Sequence, residues 1–393
     1  PEHGIRDSVA SRGLGDVYKR QEIVEGVTKI RVPNGSISEK VPPKEPAFFN
    51  PKASLNRDFS IIAYSSFWKN FQYPKIFLDG LSGIGARSLR VANEIDGVDQ
   101  VIANDVNPKA LDLAKESSEI NSLKNFEISE NETCRFFSLH SRKNNRGSIV
   151  DIDPFGSPSK YIDCGVRATM HGGLLSVTAT DLQVLHGLFN NAAKRRYYGV
   201  PIKTKFSNEI AIRLIIGCIY LISSRLDITI QPKFVDNDMH YYRVYLKILN
   251  KPEQEDRMGF IIYCRQCGMR KSVKNIVSEC EFCKGKIEAA GPLWIDKIFD
   301  KDFVAKMKDE VKNITVNKKC DIILEKCYEE SDLQSTYYTL DEIASRMKLA
   351  PLKLDSAIQK LRDSGFNASR TSLNPTGFRT NCQINDILKI FRG

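Results

Sequence analysis

The sequence predicts an α/β protein: a doubly wound parallel sheet, followed by a C-terminal part of different construction. Three observations predict it. Short apolar runs at residues 76–78, 101–103 and 148–150 each end in polar or glycine-rich exits, as buried strands do. A glycine turn and a helix start follow the first run. Far downstream, two Cys-x-x-Cys pairs mark a region that no parallel sheet explains. At 393 residues the chain is too long for one small core and suits two or three domains.

In chain order, residues 1–24 show no clear periodicity and are expected to be an extraneous or disordered leader. Residues 31–46, rich in Pro, Ser, Lys and Glu, read as a loop or linker. The strand at 76–78 runs into Asp79, and Gly80, Gly83 and Gly85 follow before a helix beginning near Ala86. Glycines there allow positive φ and close approach of the backbone to a ligand. The strand at 101–103 ends at Asn104-Asp105. An acid at that tip, roughly 20 residues beyond the glycine turn, is placed to bind ribose hydroxyls. The spacing alone fits a dinucleotide, S-adenosylmethionine or an ordinary βα turn.

The string Asp151-Ile-Asp-Pro-Phe-Gly-Ser-Pro leaves the third run. Its residues are those of a strand-ending turn. They also put a carboxylate, a proline and an aromatic ring together at the carboxyl edge of a sheet. That trio suits methylation of an exocyclic amine on a nucleobase. Such an amine is a poor nucleophile, because its lone pair is delocalised into the ring. Asp153 can accept its N–H and help localise the pair. Pro154 has no N–H for ladder pairing. Phe155 offers a flat face on which an extruded base can stack. Joined to the upstream glycine turn, this exit favours S-adenosylmethionine.

Six further strings accompany the exit: Glu25-Gly-Val-Thr-Lys-Ile, Phe48-Phe-Asn-Pro, Asn56-Arg-Asp, Val177-Thr-Ala-Thr-Asp, Gly291-Pro-Leu-Trp and Asn374-Pro-Thr-Gly. On these motifs the chain resembles the tRNA guanosine-26 dimethyltransferase family, from about Glu25 to the C-terminus. That family adds one or two methyl groups to the exocyclic amine of guanosine 26. The resemblance implies a Rossmann-like class I S-adenosylmethionine-dependent methyltransferase domain over residues 25–250. It implies a C-terminal zinc-bearing, winged-helix-like RNA-binding domain over 251–393. Asp153 would hold the guanine amine, Pro154 would complete the polar wall, and Phe155 and Phe48 would line the base pocket. Arg57 would reach the carboxylate of the cofactor's methionine portion. Arg87 matches a further cofactor contact and Asp105 the ribose-binding acid, with Asp79, Gly83 and Gly85 in the same set. Glu132 and Thr133 stand where the family often has an acidic-Ala pair near the adenine.

Cys264-Arg-Gln-Cys267 and Cys280-Glu-Phe-Cys283 read as two zinc knuckles. Four thiolates satisfy a tetrahedral zinc with no open position, so the expected role is folding of a small lobe rather than hydrolysis. An iron–sulfur site or a redox dithiol is the alternative. Between the two halves, residues 209–223 read as a buried helix, and 227–234 and 241–248 as strands. In the tail, Thr339 and Glu342 form an expected capping box. A second helix follows over 352–363, then a basic wing over 367–379. Helix, helix and wing is the order of a winged-helix module. Lys353, Lys360, Arg370 and Arg379 are expected to grip the tRNA backbone.

A formal net charge of +10 favours a polyanionic partner, here tRNA. The longest apolar stretch, 214–222, is far short of the roughly 20 residues of a membrane helix, so no membrane partner is expected. The cysteines outside the knuckles are scattered, which suits a reducing intracellular compartment. A monomer is expected. Two rival readings stand beside this one. One is another nucleobase-amine methyltransferase, acting on DNA adenine or a different RNA. The other is a non-catalytic nucleic-acid-binding protein on a dead cofactor domain.

Overall fold

A computed structural model describes residues 20–392. The chain divides into two compact units. The first comprises residues up to 151 together with 167–169 and 313–317; the second comprises 152–166, 170–312 and 318 onward. Most of the expected leader lies outside the described residues. Its last part does not: strand β1 (Arg20–Glu25) pairs antiparallel with β2 (Thr28–Pro33) around a turn at Gly26, where φ is +62°.

The first unit is built on four parallel strands. They are β3 (Ile76–Asp79), β4 (Gln100–Asn104), β5 (Phe126–Ser129) and β6 (Gly147–Ile152), in the spatial order β5-β4-β3-β6. The chain thus moves outward from β3 to β5 and returns to β6 on the other side of β3. That reversal opens a crevice at the carboxyl ends of the strands, where open α/β sheets take ligands. Four helices accompany the strands: α1 (Ser54–Trp68), α2 (Ala86–Glu94), α3 (Pro108–Ile120) and α4 (Thr133–Leu139). Local sequence sets their starts. Gly85 adopts φ +72° at the N-cap of α2. The Asn107 side chain accepts the Lys109 N–H at the start of α3, with Pro108 in the first turn, where its missing N–H costs nothing. A core of Ile30, Val32, Phe49, Ile84, Leu89 and Leu113 ties the hairpin to α2 and α3. In α1, Asn56, Arg57 and Asp58 are all buried, so their polar groups need partners inside the protein.

In the second unit, β7 (Thr169–Ala179), β9 (Tyr241–Leu249) and β8 (Thr229–Asp238) form antiparallel pairs in that order. Helix α5 (Asn190–Tyr197) precedes α6 (Ser207–Ser224). By length and composition α6 is apolar enough to cross a membrane, but it is a core helix, mostly buried within its unit. Gly217 lets it lie close to the strand at Leu293 and Trp294, since a Cβ there would come within 3.2 Å of both. That strand, β12 (Ile287–Trp294), flanks β10 (Met258–Cys264), with β11 (Arg270–Val273) on the other side. Helices α7 (Lys301–Glu310) and α8 (Lys319–Glu330) follow. The tail runs β13 (Tyr338–Thr339), α9 (Leu340–Met347), α10 (Leu354–Asp363), β14 (Ala368–Arg370), β15 (Gly377–Thr380) and α11 (Ile384–Arg392). Its strands pair in the order β13-β15-β14. The tail is not a separate globule: Ile262, Cys264, Met269, Ile343, Leu361, Phe378 and Phe391 share one core.

Candidate active site and metal centre

At the carboxyl end of β3, Asp79 lies beneath the glycine turn. It is 1% exposed. Its Oδ1 accepts the Leu81 N–H at 3.2 Å and its Oδ2 the Ser88 hydroxyl at 2.6 Å. Burial, helped by the neighbouring Asp151 carboxylate, pushes Asp79 up to about 7 against the pull of Arg87 and its own hydrogen bonds. The three glycines differ in what surrounds them. A Cβ on Gly80 would overlap the Phe137 ring, and one on Gly85 would stand 3.0 Å from Ala114 Cβ. Gly83 has room: its φ is +54° and the nearest atom to a Cβ there is the Phe48 carbonyl oxygen at 3.7 Å. A ligand can therefore approach the backbone at Gly83, while Gly80 and Gly85 let the turn pack. Phe48 is half-buried.

Asp105 stands at the tip of β4, half-exposed. Its Oδ2 accepts the Gly83 N–H at 2.8 Å and its Oδ1 the Asn107 N–H at 2.9 Å. A carboxylate has about four acceptor positions, so both oxygens retain capacity for ribose hydroxyls. Asn104 is the residue that the sequence reading treated merely as a strand end. Its Nδ2 donates to the carbonyls of Gly80 (3.1 Å) and Asn131 (3.0 Å), and its Oδ1 accepts the Asn131 N–H (3.1 Å). It thereby staples the turns after β3 and β5 to the end of β4. The available signal was an amide at the end of an apolar strand, since a buried amide needs this many partners. Glu132 is exposed and caps α4, its Oε2 accepting the Arg135 N–H at 2.9 Å. Thr133 is buried, with its methyl beside Gly80.

The two arginines differ. Arg87 is 7% exposed and points inward. Its Nη2 donates to Asn56 Oδ1 at 2.5 Å and its Nε to Ser60 Oγ at 3.2 Å, and its Nη1 lies 3.4 Å from Asp151 Oδ1. Arg57 Nε and Nη2 grip the Glu25 carboxylate at 2.6 and 2.7 Å, and Nη2 also reaches the Asn50 carbonyl at 3.2 Å.

In the second unit, Asp153 is half-buried, Pro154 buried and the Phe155 ring 69% exposed. The exit is clamped from the Val177-Thr-Ala-Thr-Asp string. Gly156, at φ +79°, donates its N–H to Thr180 Oγ1 (2.7 Å), and its carbonyl accepts the Thr180 N–H (2.9 Å). Asp181 then accepts the Tyr197 hydroxyl at 2.5 Å and Arg196 Nη1 at 3.0 Å. Burial, then the Asp181 carboxylate, holds the Tyr197 phenol well above its usual range, so it stays a donor. Helix α5 is thus wired to the exit, with Lys194 and Arg195 exposed and Leu188 and Phe189 more than half exposed just before it. The sequence reading passed over this helix, although Lys194-Arg-Arg was its signal.

The four cysteines converge. The sulfurs of Cys264, Cys267, Cys280 and Cys283 all lie within 4.8 Å of one another. Four thiolates on a zinc at Zn–S of about 2.3 Å stand about 3.8 Å apart, so the cluster is of the right size. Each pair is a tight knuckle. The Gly268 N–H donates to the Cys264 carbonyl (2.8 Å), and the Lys284 N–H to that of Cys280 (3.0 Å). Gly285 must be bare, because a Cβ there would come within 3.4 Å of two of the sulfurs.

Two expectations for the tail fail. Arg379 is buried, 2% exposed, and cannot grip RNA. Its Nε binds Glu330 at 2.5 Å and its Nη2 binds Glu209 at 3.0 Å, so the cation holds the tail to α6 and α8. The capping box does not form. Thr339 is the N-cap of α9, but its hydroxyl makes no cap bond, and Glu342 pairs instead with Arg270 of β11. Lys353 and Lys360 are exposed as expected, and Arg370 pairs with Asp355 at 2.6 Å.

A family model described as N2,N2-dimethylguanosine tRNA methyltransferase matches residues 26–392. The chain belongs to this family. Dimethylguanosine tRNA methyltransferases similar to it include the tRNA (guanine(26)-N(2))-dimethyltransferase of Methanobrevibacter smithii, 33% identical over 389 residues, covering 96% of this chain and 98% of that protein. The tRNA (guanine(26)-N(2)/guanine(27)-N(2))-dimethyltransferase of Aquifex aeolicus is 32% identical over 383 residues, covering 94% and 95%. Among solved structures, Trm1 from Pyrococcus horikoshii in complex with S-adenosyl-L-methionine aligns with a TM-score of 0.81 at 26% identity, covering 94% of this chain and 99% of that one. The resemblance carried by the seven motifs is borne out, and the α/β fold is that of class I methyltransferases.

Proposed function

We propose that this chain transfers one or two methyl groups from S-adenosylmethionine to the exocyclic amine of guanosine 26 in tRNA. The observation that carries this reading is the family match, which runs through both the glycine turn and the clamped Asp153-Pro-Phe exit. When bound, S-adenosylmethionine supplies an electrophilic methyl on a sulfonium. The crevice suits it: Gly83 is open above its backbone, Asp105 can accept ribose hydroxyls, Arg57 can meet a carboxylate, and Glu132 and Thr133, after β5, are assigned to the adenine end. Asp79 and Gly85 support that turn from within. Asp153 accepts the N–H of the guanine amine, orients its lone pair and stabilises the positive charge that develops on nitrogen. Pro154 completes the polar wall, and Phe155 and Phe48 are the aromatic faces for an extruded base. Alignment, rather than strong acid–base chemistry, is the main contribution of these residues.

The methyltransferase part extends to about residue 250, and the remainder is a zinc-bearing, winged-helix-like RNA-binding part. Zinc on the four cysteines holds the lobe of β10, β11 and β12 together. Lys353 and Lys360 in the tail, with Lys194 and Arg195 on α5, neutralise tRNA phosphates. The deciding experiment is radiolabelled methyl transfer to unmodified tRNA, with matched tRNAs altered at position 26 or 27. Label confined to tRNA with guanosine 26 is expected. Label in the position-26 variant moves the target, and no label with tRNA still bound favours a non-catalytic binder. Asp153→Ala should abolish transfer while largely retaining tRNA binding; unchanged turnover removes Asp153 from the mechanism.

A further inference from the structure

Arg57 sits on the first buried turn of α1, yet its main partner comes from the β1–β2 hairpin. Glu25, the last residue of β1, accepts both Nε and Nη2 of Arg57, a two-point grip that fixes the plane of the guanidinium. The other proton of Nη2 goes to the Asn50 carbonyl, and the group lies 4.9 Å from the Phe49 ring centroid. Nη1 has no partner among the described residues, in a side chain that is only 9% exposed, and it is not among the fully enclosed polar atoms. The guanidinium therefore has one committed edge and one open nitrogen.

Glu25 is itself held in place. Arg90 Nη1 donates to its Oε1 at 3.1 Å and to Asp58 Oδ1 at 2.7 Å. Arg90 also binds Glu94 through Nε and Nη2, both at 3.0 Å. Glu94 in turn takes the Thr28 hydroxyl at 2.7 Å, just past the hairpin turn. Gly26 must be bare, because a Cβ there would overlap the Glu94 carboxylate. Burial raises the pKa of Glu25, but Arg57 and Arg90 outweigh it and hold the carboxyl below its usual value. Glu25 thus stays ionised. These contacts lock the hairpin, α1 and α2 around a single carboxylate.

We infer that Glu25 is a positioning residue for carboxylate recognition: it clamps one edge of Arg57 so that Nη1 is presented to the cofactor's carboxylate. The inference rests on the proposed role of Arg57, and two ligands separate the ideas. S-adenosylhomocysteine carries the amino-acid group, and 5′-methylthioadenosine lacks it while keeping the nucleoside and thioether. Calorimetric titration of the full chain with each reads affinity at the carboxylate and elsewhere independently. Arg57→Ala should weaken S-adenosylhomocysteine at least about tenfold and leave methylthioadenosine within about twofold, because an ion-paired hydrogen bond is lost from one ligand alone. If Arg57→Ala affects neither ligand, the role of Arg57 itself falls. Glu25→Gln, which keeps shape but breaks the two-point grip, and Glu25→Asp, which keeps charge but is too short, should each weaken S-adenosylhomocysteine about fivefold or more and spare methylthioadenosine. Equal losses for both ligands would make Glu25 a merely structural group. Tighter S-adenosylhomocysteine binding would make it a competitor for Arg57. Either result overturns the inference while Arg57→Ala still tests its foundation.

Discussion

Replacing Asp79 by asparagine should stabilise the first unit at pH 8 and change it far less at pH 5. Asp79 is 1% exposed, and the buried Asp151 raises it further, to about 7 from an ordinary 3.8. The folded protein thus holds this proton more tightly than the unfolded chain. Stability is greatest where both states are protonated and falls as pH rises through the window from 3.8 to about 7, with the full loss present above it. A displacement of about three pKa units corresponds to a ceiling of about 4 kcal/mol. The asparagine amide must itself be buried, which offsets part of that relief, so a gain of about 2–3 kcal/mol at pH 8 is expected. Asparagine keeps both partners: its oxygen accepts the Leu81 N–H, and its amide donates to Ser88 Oγ, reversing the bond in which the Ser88 hydroxyl donates to Asp79. The assay follows from the tryptophans. The chain has two, and Trp68 is buried in the first unit while Trp294 lies in the second. In a Trp294→Phe background, urea unfolding followed by fluorescence reports the first unit alone. Equal midpoints at pH 8 with and without the Asp79→Asn substitution, or a difference that does not grow between pH 5 and 8, would show that the buried charge of Asp79 costs the fold nothing.

Three further outcomes are expected. The purified protein should carry one zinc per chain by elemental analysis, and Cys280→Ser should lose both the metal and several kcal/mol of stability in the second unit; a metal-free native protein that melts like the variant would contradict this. Arg379→Met leaves the buried Glu330 without a cation and Glu209 with Arg213 as its remaining one, and should cost about 3–5 kcal/mol in urea unfolding read by Trp294, against a loss under about 1 kcal/mol if the ion pairs are incidental. Gly80→Ala drives a methyl into the Phe137 ring and should destabilise by about 1–3 kcal/mol, whereas Gly156→Ala meets no atom within 4 Å and should cost only the about 1–2 kcal/mol of a left-handed backbone; an unchanged melting temperature for Gly80→Ala would show that the space around that glycine does not matter.

Much of the first unit was legible because parallel strands are written as apolar runs. The strand expected at 76–78 is Ile76–Asp79, and the helix expected near Ala86 begins there, stopped by left-handed Gly85. The cysteine spacing likewise states its own geometry. What the sequence hid depends on residues meeting across long separations. Arg379 looks like any basic wing residue until Glu209 and Glu330 are seen around it. Glu342 has the spacing of a capping partner, but the stronger charge of Arg270 claims it. The last part of the expected leader is instead β1, because a short edge hairpin with alternating exposure has little apolar signal. The Glu25–Arg57 pair spans 32 positions, and nothing local announces it.

Asn104 and Asp105 join three loops at the carboxyl end of the sheet. The glycine turn is anchored by the Gly83 and Ser82 amides and by the Gly80 carbonyl, and the loop after β5 by both hydrogen-bonding groups of Asn131. The ordering entropy of these segments is therefore met during folding, not at the moment of association. A substitution at the fully buried Asn104 would then appear as weakened affinity for the cofactor proposed to bind here. The crevice behaves less like a hand that closes than like a mould already set.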